Sequence, residues 1–529
     1  MKLTQRMRRP LVAVAIALLA LLSFGSWALS SPVGSSPDDD YHLVSIWCGL
    51  GEREGLCESG TKDSERLVQT RLVDGHTCYA AKPNENGNCS PADDAYTLTE
   101  RGNFAGSYPP VYYATLGVFA STDVSASTIT MRLFNSALFI GIFTALFFLL
   151  GRGSRGPLIW SGIVGLVPLG MFIVPSVNPS SWAILVISSL WVALVGYFSA
   201  TQRSRKIGLG GLAALLAIMG AGSRGDTAAF IAFAAVAAMI LSFQNNKRWW
   251  KSAVLPLAVI VLGVYFFLSS GQSAGITGID GTQEPVTHSL GETLRHALDE
   301  LQKLPFLIGG VSGLWGLGWL DTYLPVIVPG LMIVLFAGLC FWGMRVLNWK
   351  KSLVLGLTGF AIAFMPMWVY VREFISVGEG VQPRYILPLI IMFAGVAVFG
   401  VKQDSLGLNR GQAGVIVVGV AIANSISLFY NLRRYLTGLD YQGLNLDSNI
   451  EWWWNIPISP MTVWAVGSLS FALLLLGLML VLFAKEAGPE LRADSAGPQG
   501  DGNAEARTPA VGSFAETQSR PALPEAVDR

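Results

Sequence analysis

The chain has 529 residues, 52% of them hydrophobic and only 13% charged, and its 36 Lys and Arg balance 35 Asp and Glu to a formal net charge of +1. A soluble globular chain carries about 25% charged residues, so this composition and a mean hydropathy of +0.49 argue against a soluble protein and for a membrane one. With no basic surplus there is no electrostatic reason to expect nucleic acid as a partner.

Apolar runs of about 17 to 25 residues are long enough to cross a bilayer as helices. In chain order such runs fall near 11–30, 132–150, 158–174, 182–199, 207–222 and 227–243. They continue at 253–269, 323–345, 353–371, 386–401, 412–430 and 460–484. The expected fold is an all-α polytopic membrane protein of about twelve transmembrane helices. The first run follows the basic start "MKLTQRMRR" and ends in "SWALSS", which also fits a secretory signal. It is longer than a signal core, so a retained helix over 1–30 is expected. Residues 31–107 form a first connecting loop, 108–484 the multi-helix membrane domain, and 485–529, rich in Pro, Ala, Gly and acids, a disordered tail.

Orientation follows from the short basic connections. "GRGSRG" (151–156), "TQRSRK" (201–206), "NNKRWWK" (245–251), "NWKK" (348–351) and "KQDSLGLNR" (402–410) alternate with non-basic ones. The basic set is expected in the cytoplasm with both termini, and 31–107, 175–181, 270–322, 372–385 and 431–459 outside a plasma membrane. Counting "LPFLIGGVSGLWGLGWL" (304–320) as a span would break this alternation. It is read as re-entrant or lying along the outer face, where Gly-rich irregular backbone is buried in protein.

Four of the five cysteines, Cys48, Cys57, Cys78 and Cys89, lie in the first loop, and Cys340 lies in a span. An even set in an exported segment reads as two disulfides. Short local rings favour Cys48–Cys57 and Cys78–Cys89. The alternative, a zinc site, finds no matching ligand spacing.

Directly beyond the first span, "SSPVGSSPDDDYHL" presents Asp38, Asp39, Asp40 and His42. A solvated acidic loop start is the plain reading of three such carboxylates. Arginines recur at the outer ends of the spans, at Arg132, Arg224, Arg372, Arg384, Arg433 and Arg434, where the cytoplasmic charge bias gives them no support. Arg224 has Asp226 and Arg372 has Glu373 close in sequence. Arg384 has no acid within three residues and opens a helix between Gln382 and Tyr385, so it is read as an unpaired guanidinium matched to a lipid phosphate.

The motifs "SSPDDDYH" (35–42), "YPPVYYA" (108–114), "VNPSS" (177–181), "LGWLDTYLP" (317–325) and "VQPRYILPL" (381–389) occur in that order. On these the chain resembles, over roughly residues 10 to 484, the predicted membrane proteins grouped as domain of unknown function 2142. That group in turn resembles the GT-C superfamily of polytopic glycosyltransferases. The resemblance implies transfer of a sugar from a polyprenyl-phosphate carrier in the outer leaflet to a cell-envelope glycan or lipid acceptor. It implies an acid of the first outer loop, Asp38 or Asp39, as general base. The family's pattern of Pro-Asp-Glu-x-x-His reads here Pro37-Asp38-Asp39-Asp40-Tyr41-His42, with Asp in the Glu position.

Chemistry fits those roles. A carboxylate that takes the hydroxyl proton contributes about 10²–10⁴-fold, and a cation at headgroup level stabilises the departing phosphate. Arg384 with Tyr385 and Gln382 is the expected phosphate site, helped by Arg372 or Arg224. Asp40, His42 and Asp321 are candidate helpers, Asp321 also reading as a helix cap. Repulsion among adjacent acids raises one carboxyl pKa. Asp38 and Asp39 also suit a magnesium or manganese ion. "EWWWN" (451–455) reads as an interfacial anchor or a sugar-stacking surface. Two other readings stand beside the enzyme: a lipid-linked glycan flippase or transporter, which needs charges lining a central cavity, and a non-enzymatic envelope assembly protein that binds through its stapled loop.

Overall fold

The computed structural model describes residues 2–89, 91, 94–271 and 288–484. The tail expected to be disordered, 485–529, lies outside the described residues, as does the stretch 272–287.

The chain is mostly helical. After α1 (Lys2–Leu29), the first connection carries α2 (Asp39–Trp47), α3 (Thr70–Asp74) and α4 (Val111–Gly117). It also holds a small antiparallel sheet of β1 (Glu58–Ser59), β2 (Arg66–Gln69) and β3 (Tyr96–Thr99), with Leu67 opposite Leu98. This sheet departs from the all-α expectation. "RLVQ" and "YTLT" are short runs of β-favouring residues, and pairing across the loop supplies what neither holds alone.

Next come α5 (Val124–Leu149), α6 (Arg155–Gly165), α7 (Leu169–Ile173), α8 (Ser180–Ser199), α9 (Arg203–Ala221), α10 (Gly225–Leu241), α11 (Lys247–Ser252) and α12 (Val254–Ser269). The remaining helices are α13 (Leu290–Gly310), α14 (Ile327–Met344), α15 (Trp349–Glu373), α16 (Pro383–Val398), α17 (Arg410–Leu436) and α18 (Pro460–Leu482). Among the described residues eight helices are long and apolar enough to cross a membrane: the Leu11–Leu29 part of α1, and α5, α8, α9, α14, α15, α17 and α18. Three shorter apolar helices, α10, α12 and α16, accompany them. The apolar run at 158–174 is not one helix. Pro168 has no N–H to continue the ladder and disfavours helical backbone at Val167, so α6 stops and α7 restarts beyond it.

Helix α8 forms the centre. Its sequence is apolar on every side, and 89% of its apolar window is buried against 28% for α15. It packs against α9, α10 and α16, and α16 is itself buried nearly all round.

The connections gather into two groups at opposite ends of the helices. At one end Asp404 accepts from the Gly153 amide (2.8 Å), Arg248 donates to Ala200 O (2.6 Å), and Arg345 donates to Leu406 O (2.7 Å). At the other end Asn178 donates to Pro37 O (2.8 Å), the Tyr112 amide to Gly222 O (3.1 Å), and Trp454 to Leu29 O (2.8 Å). The first group is the basic set of the sequence. The second holds the first connection, with disulfides Cys48–Cys57 and Cys78–Cys89 paired as expected.

Two buried arginines fasten that connection to the helices. Arg132 of α5 donates to Ala28 O, Ser31 O and Pro32 O, each at 2.7 Å, and to Ser35 Oγ at 3.2 Å. Arg434 of α17 donates to Tyr79 O (2.6 Å) and to Asp321 Oδ2 (2.8 Å), which also accepts from the Ala81 amide (3.0 Å). Both guanidiniums satisfy carbonyls that burial would otherwise leave unmatched.

Candidate functional site

The three consecutive acids have three different environments. Asp38 is the N-cap of α2, with φ 60° and ψ 21°. This left-handed conformation is uncommon outside glycine, with Asp and Asn the usual exceptions. An N-cap carboxylate normally accepts from its helix's first amides. Asp38 makes no such bond, and its carboxylate instead meets Arg384 Nη2 at 2.5 Å.

Asp39 turns inward. It is buried, and its Oδ2 accepts from the Ser36 amide at 3.0 Å. Burial raises its carboxyl to a pKa of about 7, a rise that Arg132 and the Ser36 amide oppose. Asp40 is held by Arg101, whose Nε and Nη2 both donate to it, and Arg101 Nη2 lies 3.9 Å from Asp38 Oδ1. Arg101 was not singled out in the sequence. It lies in a loop, with no helical spacing to flag it.

Arg384 at the start of α16 is paired rather than unpaired as the sequence suggested. Its partner, Asp38, lies 346 positions away, beyond any local reading. The pairing leaves chemistry unused. Nη2 also donates to Tyr385 Oη (2.8 Å), but the buried Nε and Nη1 have no partner among the described residues. The Arg384 side chain is 2% exposed and that of Asp38 37%.

Arg224 joins the cluster from the N-cap of α10, bound to Asp226 at 2.9 and 2.8 Å and reaching Ser180 Oγ at 3.4 Å. The Tyr385 ring lies 4.6 Å from the Arg224 guanidinium and 4.8 Å from that of Arg384, so one phenol faces both cations. The Tyr108 ring lies 5.8 Å from Arg224, and burial raises its hydroxyl to about 12. His42 Nδ1 is hydrogen-bonded to Tyr113 Oη at 3.0 Å. Burial, reinforced by Arg224, Arg384 and Arg101, holds its pKa well below the usual value, so the ring is neutral.

The "YPPVYYA" motif thus supplies the aromatic wall around the acids. Beside Arg384 a mostly apolar cleft is lined by Pro37, Phe172, Leu317, Gly318 and Gln382, whose buried Oε1 has no partner among the described residues.

The remaining candidates sit elsewhere. Asp321 is neither a helix cap nor part of the Asp38 cluster; it is the buried partner of Arg434. Arg372 lies beside Glu373 at 3.6 Å. Trp454 packs 5.8 Å from the Arg132 guanidinium. Among the described residues no group of three or more His, Cys, Asp or Glu is placed to hold a metal ion. Asp38 and Asp39 are each engaged separately, by Arg384 and by the Ser36 amide.

Arg384, Arg224 and Arg101 face Asp38, Asp40 and Asp226, so the cluster is balanced in charge. An arriving anion must displace a carboxylate from a guanidinium, and Asp38 is the most exposed of the three acids. The sequence pattern of a family described as "Predicted membrane protein (DUF2142)" matches residues 21–393. The chain belongs to that family. The DUF2142 match runs from within α1 to within α16, taking in Asp38, Arg101, Arg224 and Arg384. No curated protein matches the chain.

Proposed function

We propose that this DUF2142 protein is a glycosyltransferase of the GT-C type, working on the external face of a plasma membrane that it crosses twelve times. The twelfth crossing is the broken pair α6–α7, which runs from Gly153 at the basic end to the Asn178–Pro37 contact at the other. An even number of crossings puts both termini in the cytoplasm and residues 31–107 outside, in agreement with the charge bias of the connections.

The observation that carries the reading is the Asp38–Arg384 pair with its two unused guanidinium donors. A polyprenyl-phosphate sugar brings its phosphate to Arg384, where it takes Nη2 from Asp38 and pairs it with one of the two unused donors, Nε or Nη1, as a fork, with Arg224 beside the same Tyr385 ring. Competition for the guanidinium releases Asp38. Its carboxylate takes the proton from the acceptor hydroxyl as that oxygen bonds to the anomeric carbon. The bond from that carbon to the phosphate oxygen breaks, and the electron pair leaves on the lipid phosphate beside Arg384. A cation fixed there meets charge that grows only in the transition state. His42, held neutral, and Tyr108 shape the acceptor side.

The test is sugar transfer from a radiolabelled polyprenyl-phosphate donor by membranes holding equal amounts of wild type, Asp38→Asn or Arg384→Lys. Loss of the base is expected to lower transfer about 10²–10⁴-fold, and loss of the planar fork about 10²–10³-fold. Transfer at the wild-type rate by both variants overturns the proposal.

A further inference from the structure

Helix α13 has three distinct faces. His296, Glu300, Leu304 and Leu307 point into the protein: His296 Nε2 is hydrogen-bonded to Tyr370 O (3.1 Å), and Glu300 Oε2 accepts from the Val377 amide (2.6 Å). A second face carries Glu292, Arg295, Asp299, Gln302 and Lys303, all exposed. The third carries Leu290, Leu294, Leu298 and Leu301, each 51–76% exposed, at spacings of four, four and three, and Ile308 extends it by two turns. That spacing is a single stripe along a helix, and within the described residues no protein covers it.

The ends of α13 fix its direction. Its first half lies on Tyr370–Val377, where α15 finishes, with the His288 and His296 rings stacked on Phe374 at 3.6 and 4.3 Å. At its last residue, Gly310, a Cβ would come within 2.5 Å of Pro383, where α16 begins. Both anchor points belong to the end of the bundle that holds Asp38 and Arg384. The helix therefore runs along that end instead of crossing between ends.

We infer that α13 lies in the surface plane of the bilayer, with its leucine stripe sunk into the lipid and its polar face in water. Helices of this pattern settle about 5–10 Å into the headgroup and acyl boundary. The choice of lipid over a protein partner rests on continuity. Helix α13 packs on the end of α15, whose Phe360, Phe364 and Trp368 form an exposed apolar line leading to that end. The polar face carries two cations, Arg295 and Lys303, against two anions, Glu292 and Asp299, so the attraction is apolar and needs no acidic lipid.

The test uses full-length protein in phosphatidylcholine vesicles, with Cys340→Ser as background and an environment-sensitive fluorophore on single cysteines. Labels at Leu294→Cys, Leu298→Cys and Leu301→Cys are expected to be quenched by lipids carrying a shallow nitroxide. Against aqueous iodide they should be several-fold less sensitive than labels at Asp299→Cys or Gln302→Cys. Phe364→Cys serves as the in-bilayer reference, and adding anionic lipid should leave the pattern unchanged. A second measurement needs no substitution: an acyl-chain diazirine lipid should label the tryptic peptide 296–303 of the native chain. Stripe labels as open to iodide as Gln302→Cys overturn the inference. So does shielding from both quenchers, which would mean that protein or a second copy covers the stripe.

Discussion

Asp38 combines an uncommon backbone conformation with a carboxylate withheld from its own helix. Asn tolerates the left-handed region about as well as Asp, whereas a β-branched residue there carries about 1–3 kcal/mol of strain. Either substitution leaves the buried Arg384 without its carboxylate, so both Asp38→Asn and Asp38→Val should lower the melting temperature and lose transfer, the Val variant by the larger margin in stability, as thermal unfolding in detergent read beside the transfer assay will tell. Asp39 yields a prediction about acidity. Its folded pKa, about 7, lies above the ordinary carboxyl value of 3.8, so the folded state holds a proton that the unfolded state has released. Between pH 4 and 7 the unfolded chain binds fewer protons, so this group's stabilisation is full below pH 4 and lost as pH rises through 7. Asp39→Asn, neutral throughout and able to accept from Ser36, should flatten that slope and leave the variant more stable than wild type at pH 8, by on the order of a few kcal/mol. Equal slopes for the two proteins would contradict it. The sequence announced three acids but not their division of labour. Which one faces Arg384 depends on where α2 starts and on one dihedral angle, and neither is encoded in residue type.

Among the elements, the arginines at helix ends were legible as cations in need of local reasons, and the reasons proved unequal. Arg224 found the Asp226 that neighbours it in sequence. Arg132 and Arg434 bind mainly peptide carbonyls, which every residue carries, so no pattern of side chains could have named their partners. Removing one member of a buried pair strands the other, a loss of about 3–5 kcal/mol, while removing both is far milder. Arg434→Met alone and Asp321→Asn alone should each lower the melting temperature sharply. The double variant should lose less than the sum, a double-mutant cycle that checks the pairing; strict additivity would deny it.

For the whole molecule, the apolar runs were the most legible feature, because length and hydropathy act without reference to neighbours. Eleven of the twelve became single helices, eight long and three short; the exception holds Pro168. The small sheet was missed because it exists only through pairing between segments joined by the Cys78–Cys89 loop. The grouping of connections into two ends predicts sidedness. A membrane-impermeant maleimide applied to intact cells should label Lys62→Cys, in the disulfide-bearing connection, and spare Lys247→Cys until the membrane is opened. The reverse pattern would turn the molecule over and move the Asp38 cluster to the wrong compartment.

Arg132 fastens the first connection through groups that do not titrate. A guanidinium stays charged, and a peptide carbonyl never ionises, at any acidity a living surface meets. The Arg132 clamp, made of that pairing and the Ser35 hydroxyl, keeps its grip in sour or alkaline surroundings alike. A change of acidity near neutrality falls on the proton of Asp39, with that clamp unmoved.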